Sequence, residues 1–348
     1  MISLLSITSW DRPFFDRFVS FRNRCYRKHD DVLLESIESF ERQFGVLSPF
    51  SREHEWKAWL ATDEVGIVRG RIVAGVRRPD EAQISTFAFC GYFESDEDGP
   101  TPGDVAKALL EAAIAFAAQL QQRYPHIQSL RGPIQGSFYY GYRLRLAGGG
   151  KHFLGEPNYP DLYHEHFKNS GFDVCEHYQT VEITRKSWMT NLEKKGLPRT
   201  SSPWKKSGVK VRQLNVRRWD DEVVTLHRLI VDCFSEMPMF SPISLDEFRS
   251  IYDSYRYLVH PDMILIAEHE DRPVGFMMAM YDQLPVLLAH QRREVARPVT
   301  GWRAQWRKLA TLARLRLNRK SLLFYYVGKV PGLKVKGVMA ALGTRLMF

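Results

Sequence analysis

The chain contains 348 residues, about twice the length of an average domain, and this length predicts two domains. Hydrophobic residues make up 44% and charged residues 26%, a composition that supports buried cores and excludes a disordered or fibrous protein. No apolar run approaches the roughly 20 residues that cross a bilayer, and residues 1–18 lack the form of a signal peptide. We therefore expect a globular protein of the cytoplasm.

The net charge of +9 is concentrated in one segment of the chain. Residues 291–320 contain ten Lys or Arg residues and one acidic residue, Glu294, so this segment alone accounts for a net charge of +9. The remaining 39 basic and 39 acidic residues cancel. The basic character is therefore local, no nucleic-acid-binding motif surrounds it, and we expect no nucleic-acid partner.

Neither the cysteines nor the histidines predict a metal site. The four cysteines are far apart and form no CxxC pair, so free thiols in a reducing cytoplasm are expected, although two disulfides are formally possible; they are Cys25, Cys90, Cys175 and Cys233. His164 and His166 are two positions apart on an expected helix, where their side chains point in different directions. We therefore expect no metal.

Hydrophobic periodicity in the first half predicts a mixed sheet with helices. Strands are expected at residues 3–8, 56–62, 66–76, 84–94, 129–134 and 175–184, and helices at residues 11–26, in a less regular stretch that follows, and at residues 104–123 and 159–169. Phe14, Phe18 and Phe21 supply the apolar face of the first helix. Asp104 is the expected N-cap of the helix at 104–123.

The second half repeats this order of elements. Residues 188–208 are polar, rich in lysine and interrupted by two prolines, and we expect them to be a linker between a domain at 1–187 and a domain at 209–348. The second domain is predicted to contain a strand at 209–216, helices at 221–234 and 244–257, a hairpin of strands at 263–269 and 274–281, a strand at 322–330, a loop and a terminal helix. Ser244 with Glu247 three residues later is a helix N-terminal capping pattern.

A basic insertion, residues 283–320, separates the predicted hairpin from the strand at 322–330. Within it, residues 301–317 have a helical spacing of large apolar side chains, with basic residues on an adjacent face; the apolar residues are Trp302, Trp306, Leu309, Ala313 and Leu317, and the basic ones Arg303, Arg307 and Arg314. Three interpretations remain open: docking on an anionic membrane surface, docking to an acidic acyl-carrier protein, and packing within the fold with a charged edge.

Short motifs along nearly the whole chain resemble the GNAT superfamily of N-acetyltransferases, in particular a poorly characterised bacterial family of paired GNAT-like proteins. These motifs are Gly70-Arg71-Ile72, Gly91-Tyr92-Phe93-Glu94, Gly132-Pro133, Asn158-Tyr159-Pro160 with Gly171-Phe172, Pro242-Ile243-Ser244, Pro261-Asp262 through Val274-Gly275-Phe276, and Val330-Pro331 through Gly337-Val338. The resemblance implies an α/β fold of two tandem acyl-CoA N-acyltransferase (GNAT-like) domains with mixed central sheets flanked by helices.

The superfamily's phosphate-binding pattern, Gln/Arg-x-x-Gly-x-Gly/Ala, aligns on residues 334–339. Lys334 stands in the first position, Val335 where paired relatives often have glycine, and Met339 in place of a small residue. An open helix N-terminus with a glycine suits a diphosphate, and Lys329, Lys334 and Lys336 add positive charge. The resemblance implies that acetyl-CoA or another acyl-CoA binds at Val327, Gly328, Val330, Lys334, Val335, Lys336, Gly337, Val338 and Met339.

The equivalent loop of the first half contains four carboxylates between Glu94 and Asp98. Because like charges repel, these residues predict that the first domain has lost acyl-CoA binding. For the second domain, the resemblance implies that a backbone amide at Tyr326, Val327 or Gly328 polarises the thioester carbonyl. Glu268 and Tyr325 are candidate proton carriers from neighbouring strands, with a structural role as the alternative for each.

The chain ends at Phe348, before the helix that in many GNAT enzymes provides a tyrosine as the acid for the leaving thiolate. We therefore expect the second domain to lack its last elements or to be completed by an exchanged element. The predicted function is transfer of an acetyl or longer acyl group from acyl-CoA to an amine. The alternative is a non-catalytic GNAT-like binding or scaffold protein, located in the cytoplasm or at the membrane periphery and attached through the basic insertion.

Overall fold

The computed structural model describes residues 2–79, 84–146, 152–184, 187, 190 and 208–347. The strands are β1 (Ser3–Ile7), β2 (His54–Thr62), β3 (Val68–Arg77), β4 (Phe87–Ser95), β5 (Ser129–Arg131), β6 (Val209–Gln213), β7 (Ile264–His269), β8 (Arg272–Tyr281) and β9 (Leu322–Lys329). The helices are α1 (Arg12–Tyr26), α2 (Ile37–Phe44), α3 (Pro49–Glu53), α4 (Pro102–Arg123), α5 (Leu162–Asn169), α6 (Trp219–Phe234), α7 (Leu245–Tyr252), α8 (Leu284–Ala296), α9 (Gly301–Leu317) and α10 (Val338–Met347). Apart from residues 190 and 208, the predicted linker at 188–208 lies outside the described residues.

The first five strands form one sheet in the order β1-β2-β3-β4-β5. Strands β1 to β4 are antiparallel neighbours, and β5 is parallel to β4 because α4 provides the crossover between them. The first half thus runs from one strand through three helices to three antiparallel strands, a helix and a parallel strand. The predicted α/β fold class, with a mixed sheet flanked by helices, is therefore confirmed.

An aromatic core covers one face of the first sheet. Helix α1 begins where the Asp11 carboxylate accepts a hydrogen bond from the Phe14 amide at 2.7 Å, which satisfies one of the unpaired amides at the helix start. Phe15 and Phe18 are fully buried in this core, and the rings of Phe15 and Phe44 stack with centroids 5.3 Å apart. Each buried ring of this size stabilises the fold by roughly 1.5–3 kcal/mol.

The second sheet has the order β6-β7-β8-β9. Strands β6, β7 and β8 are antiparallel, and Glu270 and Asp271 turn the hairpin between β7 and β8 with φ angles of 51° and 58°. The Val330 amide donates to the Val274 carbonyl at 3.0 Å just after β9, which extends the contact of β9 with the start of β8. β9 is the last strand in this order, so its outer edge pairs with no strand of the described residues.

Contacts between Cα atoms group the chain into two compact units. The first unit comprises Met1–Gly171, Phe234–Val259 and Tyr281–Leu323, and the second comprises Phe172–Cys233, His260–Met280 and Phe324–Phe348. The first unit thus contains the five-stranded sheet together with α7, α8 and α9. The predicted division into tandem domains at 1–187 and 209–348 remains a prediction.

Two local predictions are wrong. Residues 175–184 form no strand; they are exposed and irregular. Asp104 is not the N-cap of α4, because the helix begins at Pro102 and Thr101 is the cap residue. Asp104 lies instead in the first turn, where its negative charge faces the positive end of the helix dipole. The predicted cap of α7 is confirmed, since Ser244 Oγ accepts from the Glu247 amide at 3.0 Å.

Candidate functional site

The loop at residues 330–337 connects β9 to α10, and the predicted phosphate-binding pattern at 334–339 spans the end of this loop and the start of the helix. Gly332 and Gly337 have φ angles of 72° and 88°, in the left-handed region that other residues avoid. The Ala341 amide donates to the Gly337 carbonyl at 2.8 Å and closes the first turn of α10. The amides of residues 338–340 precede this bond and therefore have no acceptor within the helix.

The loop is anchored to the second unit by alternate side chains. Leu333 and Val335 pack against a buried apolar cluster that includes Leu265, Met277 and Val338. Lys334 and Lys336, which alternate with them, are exposed. The side chains of Val335 and Val338 therefore pack in the core, and a ligand at the loop would meet only the backbone amides of these two residues. Met339, in the first turn of α10, is exposed.

Lys329 has a structural task within the loop. Its Nζ donates to the Leu333 carbonyl at 2.9 Å and so closes the turn around Pro331 and Gly332. The exposed ammonium groups beside the helix N-terminus are therefore those of Lys334 and Lys336. Residues 322–348 contain no acidic residue, so nothing in this segment offsets their positive charge.

Two glycines, for which the sequence predicted no packing role, allow neighbouring helices to approach the second sheet closely. A Cβ atom on Gly275 of β8 would lie 2.8 Å from Val338 Cγ1 and 2.9 Å from the Gly328 carbonyl oxygen. A Cβ atom on Gly328 of β9 would lie 2.7 Å from Cys233 Cβ on α6. A glycine inside a strand often marks such a close approach, which is the signal that could have identified Gly275.

Tyr325 and Tyr326 are adjacent in β9 and are both partly buried. Successive side chains of a strand point to opposite faces of the sheet. Tyr325 therefore shares a face with Lys329, whose side chain reaches the phosphate-binding loop, whereas Tyr326 shares a face with Gly328 and hence with α6. Of the two tyrosines, Tyr325 lies on the side of the candidate site.

The prediction that Glu268 and Tyr325 lie on neighbouring strands is wrong. Glu268 is on β7, and β8 lies between β7 and β9. Two strand spacings alone separate their backbones by about 10 Å. The Glu268 carboxylate accepts from Arg212 Nε at 2.6 Å, and Arg212 also donates to Glu222 at 2.7 Å. The structure thus joins Glu268 to Arg212 and Glu222 and does not bring it to Tyr325.

In the first unit, the four carboxylates at residues 94–98 were predicted to repel a diphosphate, but the structure does not leave them as an unpaired cluster. Glu94 is 1% exposed and accepts hydrogen bonds from Arg22, Tyr26 and Tyr163 at 3.0, 3.0 and 2.8 Å. In the loop that follows, Asp96 accepts from Arg69 at 2.9 Å, and Glu97 pairs with His166 at 3.1 Å. The acidic residues that were expected to face a diphosphate are therefore mostly hydrogen-bonded to partners of their own.

A buried network of charged groups surrounds Glu94, and sequence analysis missed it. Arg71 of β3 is 1% exposed and donates two hydrogen bonds to Glu35, at 2.6 and 2.9 Å. Burial raises the pKa of Glu94, although Arg22 and Arg71 oppose this effect. Burial alone would also raise the pKa of Glu35, but the charges of Arg71 and Arg22 outweigh it and lower that pKa. Arg71 at the centre of a strand whose neighbouring positions are mostly apolar was the available signal.

The chain's own atoms fill the space beside β4 in the first unit. A Cβ atom on Gly91 would lie 2.1 Å from the Ile134 carbonyl oxygen, and the Ile134 amide donates to the Cys90 carbonyl at 2.7 Å. Further along, the Ser95 amide donates to the Tyr163 hydroxyl at 2.9 Å. The amides and the edge of β4 in this region are thus occupied by residues that follow β5.

Over the described ranges, no group of three or more His, Cys, Asp or Glu side chains is arranged to hold an ion. His166, one of the two histidines considered from sequence, pairs with Glu97. None of the helices that the structure describes combines the length and apolar character that a bilayer crossing requires.

Protein-family models and curated proteins give no match to the chain. Solved structures do. An aminoglycoside 6'-N-acetyltransferase from Acinetobacter baumannii matches at 11% identity and a TM-score of 0.30, over 53% of this chain and 99% of that one. A predicted acetyltransferase from Clostridium acetobutylicum, solved with acetyl-CoA, matches at 10% identity and a TM-score of 0.31, over 52% and 96% of the two chains. A GCN5-related glucosamine N-acetyltransferase region of a fungal multi-domain β-N-acetylglucosaminidase matches at 10% identity and a TM-score of 0.48, over 100% and 34%. At these values the likenesses support no conclusion about function.

Proposed function

We propose that this GNAT-like chain binds an acyl-CoA through the loop at residues 330–337 and the N-terminus of α10, and transfers the acyl group to an amine. The observation that supports the proposal most directly is the combination at this loop of three helix-start amides, two exposed lysines and no acidic residue in the segment. Such an arrangement favours a ligand with adjacent negative charges, as in a diphosphate.

The diphosphate would lie at the start of α10. The helix dipole places about half a positive charge there, and the amides of residues 338–340 point toward it. Gly337, with its positive φ and no side chain, lets the phosphate oxygens reach these amides. Lys334 and Lys336 would add the charge that balances the diphosphate.

The acyl-thioester would extend from the loop along the outer edge of β9. This edge pairs with no strand of the described residues, so a ligand with amide groups of its own would bind along it in the manner of an added strand. Val327 is 37% exposed at this position. A backbone amide of Tyr326, Val327 or Gly328 would donate to the thioester carbonyl oxygen and stabilise the negative charge that develops on it.

In the reaction itself, the amine nitrogen attacks the thioester carbon, a C–N bond forms and the C–S bond breaks. The amine loses a proton, and the leaving thiolate gains one to become the thiol of CoA. Tyr325 is the proposed proton donor to the thiolate, because it shares a face of β9 with the loop. Glu268 is a weaker candidate, since its carboxylate is already paired with Arg212.

The alternative function is a non-catalytic binding or scaffold protein of the same fold, attached to a partner through the basic insertion. The pairing of Glu268 with Arg212 favours this alternative, because it leaves the site without an evident general base. A thiol-release assay over a panel of amines separates the two functions. Release of free CoA that requires both acetyl-CoA and an amine supports the enzyme; tight binding of acetyl-CoA without release on any amine supports the scaffold.

Replacing Lys334 and Lys336 together by alanine should raise the dissociation constant for acetyl-CoA about tenfold or more, since each exposed charge-assisted contact is worth roughly 1 kcal/mol. Isothermal titration calorimetry of the full chain measures the change. Lys107→Ala on α4 is the control, because its side chain is also exposed but belongs to the first unit. If the double variant and the control bind acetyl-CoA equally well, the diphosphate is not held by this loop.

A further inference from the structure

The outward face of α9 is a row of large apolar side chains in contact with solvent. Trp302, Trp306, Leu309 and Leu317 are between 56% and 79% exposed. At 100° per residue these four positions lie within one stripe of the helix. Thr311 and Leu315, on the opposite side, are the buried residues of α9. The helix therefore packs through its narrower polar and aliphatic side and presents its tryptophans to the outside.

Specific contacts hold α9 in this orientation against α8. Thr311 Oγ1 lies 3.0 Å from His290 Nδ1, and Arg307 pairs with Glu294 at 3.0 Å. Arg307 also donates to the Arg297 carbonyl at 2.7 Å, between the two helices. In this orientation Trp302 and Trp306 are largely exposed, so packing within the described part of the fold does not account for them. The same contacts remove Arg307 from the residues predicted to meet a partner, since it is turned toward α8.

Arginines that form no ion pair with the described residues border the apolar row. Arg303 lies over the Trp302 ring at 5.5 Å and is exposed, and Arg314 is exposed on the same flank. Glu294, the single acid of residues 291–320, is already bound to Arg307. The segment therefore presents an outward apolar stripe with a cationic border and no free carboxylate.

We propose that α9 lies flat on an anionic membrane surface, with Trp302, Trp306, Leu309 and Leu317 inserted among the lipid headgroups and with Arg303 and Arg314 near the phosphates. Tryptophan favours this interfacial depth, and juxtamembrane arginines gain energy from anionic lipids. The negative charge of an acidic protein would account for the arginines but not for the exposed row of tryptophans, whereas a membrane surface accounts for both. The proposal does not depend on acyl-CoA binding.

Flotation of the full chain with vesicles tests the proposal. Vesicles of phosphatidylcholine with phosphatidylglycerol should carry the protein to the top of the gradient, and pure phosphatidylcholine vesicles should carry at least tenfold less. Arg303→Ala with Arg314→Ala should weaken partitioning by roughly fivefold per arginine, and 0.5 M salt should act in the same direction. Trp302→Ala with Trp306→Ala should abolish the blue shift of tryptophan fluorescence that accompanies binding. Lys107→Ala is the control and should bind as the unmodified chain does.

Equal recovery from both kinds of vesicle, or no recovery from either, overturns the proposal. So does unchanged partitioning of the tryptophan variant once circular dichroism has shown that it is folded. Binding of purified acyl-carrier protein that is lost in the arginine variant, with no vesicle binding, would replace the membrane by an acidic protein as the partner.

Discussion

Replacing Arg71 by alanine should lower the free energy of unfolding by about 3–5 kcal/mol, because the change removes a cation that pairs with the carboxylates of Glu35 and Glu94. Arg71 forms two hydrogen bonds with Glu35 and donates a third to the Phe18 carbonyl at 3.1 Å. After the change, Glu35 and Glu94 would share Arg22 alone. Urea denaturation at pH 7 measures the loss. If alanine prevents folding, Arg71→Lys should give a smaller but measurable loss of stability. Lysine keeps the positive charge but cannot form the two-pronged hydrogen bonds that Arg71 makes with Glu35.

Arg69 provides a matched control on the same strand. It too bridges two carboxylates, those of Asp63 and Asp96, each at 2.9 Å. Its side chain is 22% exposed, whereas that of Arg71 is 1% exposed. Solvent screens the Arg69 pairs, so Arg69→Ala should cost less than about 1 kcal/mol. Equal losses for the two variants would mean that burial does not set the importance of these ion pairs.

Replacing Glu247 by glutamine should remove a dependence of stability on pH. Glu247 of α7 is 1% exposed and shares one cation, Arg77, with Glu53. Burial, opposed by Arg77 and reinforced by Glu53, raises the pKa of Glu247 to about 8. Glu53 is more exposed than Glu247. With Glu247 protonated, the triad of Arg77, Glu53 and Glu247 has no net charge, and a neutral cluster costs less desolvation free energy to bury than a charged one.

The sign of the effect follows from proton binding. Between pH 4.5 and 8 the folded chain retains a proton that the unfolded chain has released, so the contribution of Glu247 to stability is complete below pH 4.5 and is lost as pH rises to about 8. The slope is at most about 1.4 kcal/mol per pH unit. Urea denaturation of Glu247→Gln from pH 5 to 9 should show this slope removed. Glu35→Gln, measured below pH 4.5, is the opposite control, since the lowered pKa of Glu35 gives a contribution that is lost as pH falls below 4.5. An unchanged slope in Glu247→Gln would show that Glu247 is ionised in the folded chain.

Periodic and capping signals predicted most of the elements correctly. The helix at 301–317 has the predicted limits, and the cap formed by Ser244 and the Glu247 amide is present. These features depend on nearby residues, whose spacing is visible in the sequence. The strand predicted at 175–184 is absent, because alternation of apolar residues makes a strand only where a neighbouring strand accepts its hydrogen bonds.

Long-range pairings were beyond sequence reasoning. Arg77 bonds Glu247, 170 positions later in the chain, and the segment with α7 belongs to the first unit although its position in the sequence suggested the second domain. The same holds for Glu94, which looked like part of an exposed acidic loop and is a buried acceptor for three side chains. For the candidate site, the sequence indicated the loop and its lysines, but not the close packing of Gly275 against Val338 that positions α10.

The central claim is that the loop at 330–337 and the start of α10 hold the diphosphate of an acyl-CoA. Its most direct test is a calorimetric comparison of acetyl-CoA with acetyl-pantetheine, which has the same thioester arm but lacks the diphosphate and the phosphorylated adenosine. If the amides at the start of α10 and the lysines at 334 and 336 hold the diphosphate, acetyl-CoA should bind at least a hundredfold more tightly than acetyl-pantetheine, and 0.5 M salt should reduce the difference. Equal affinities for the two ligands, or no binding of acetyl-CoA, would contradict the claim.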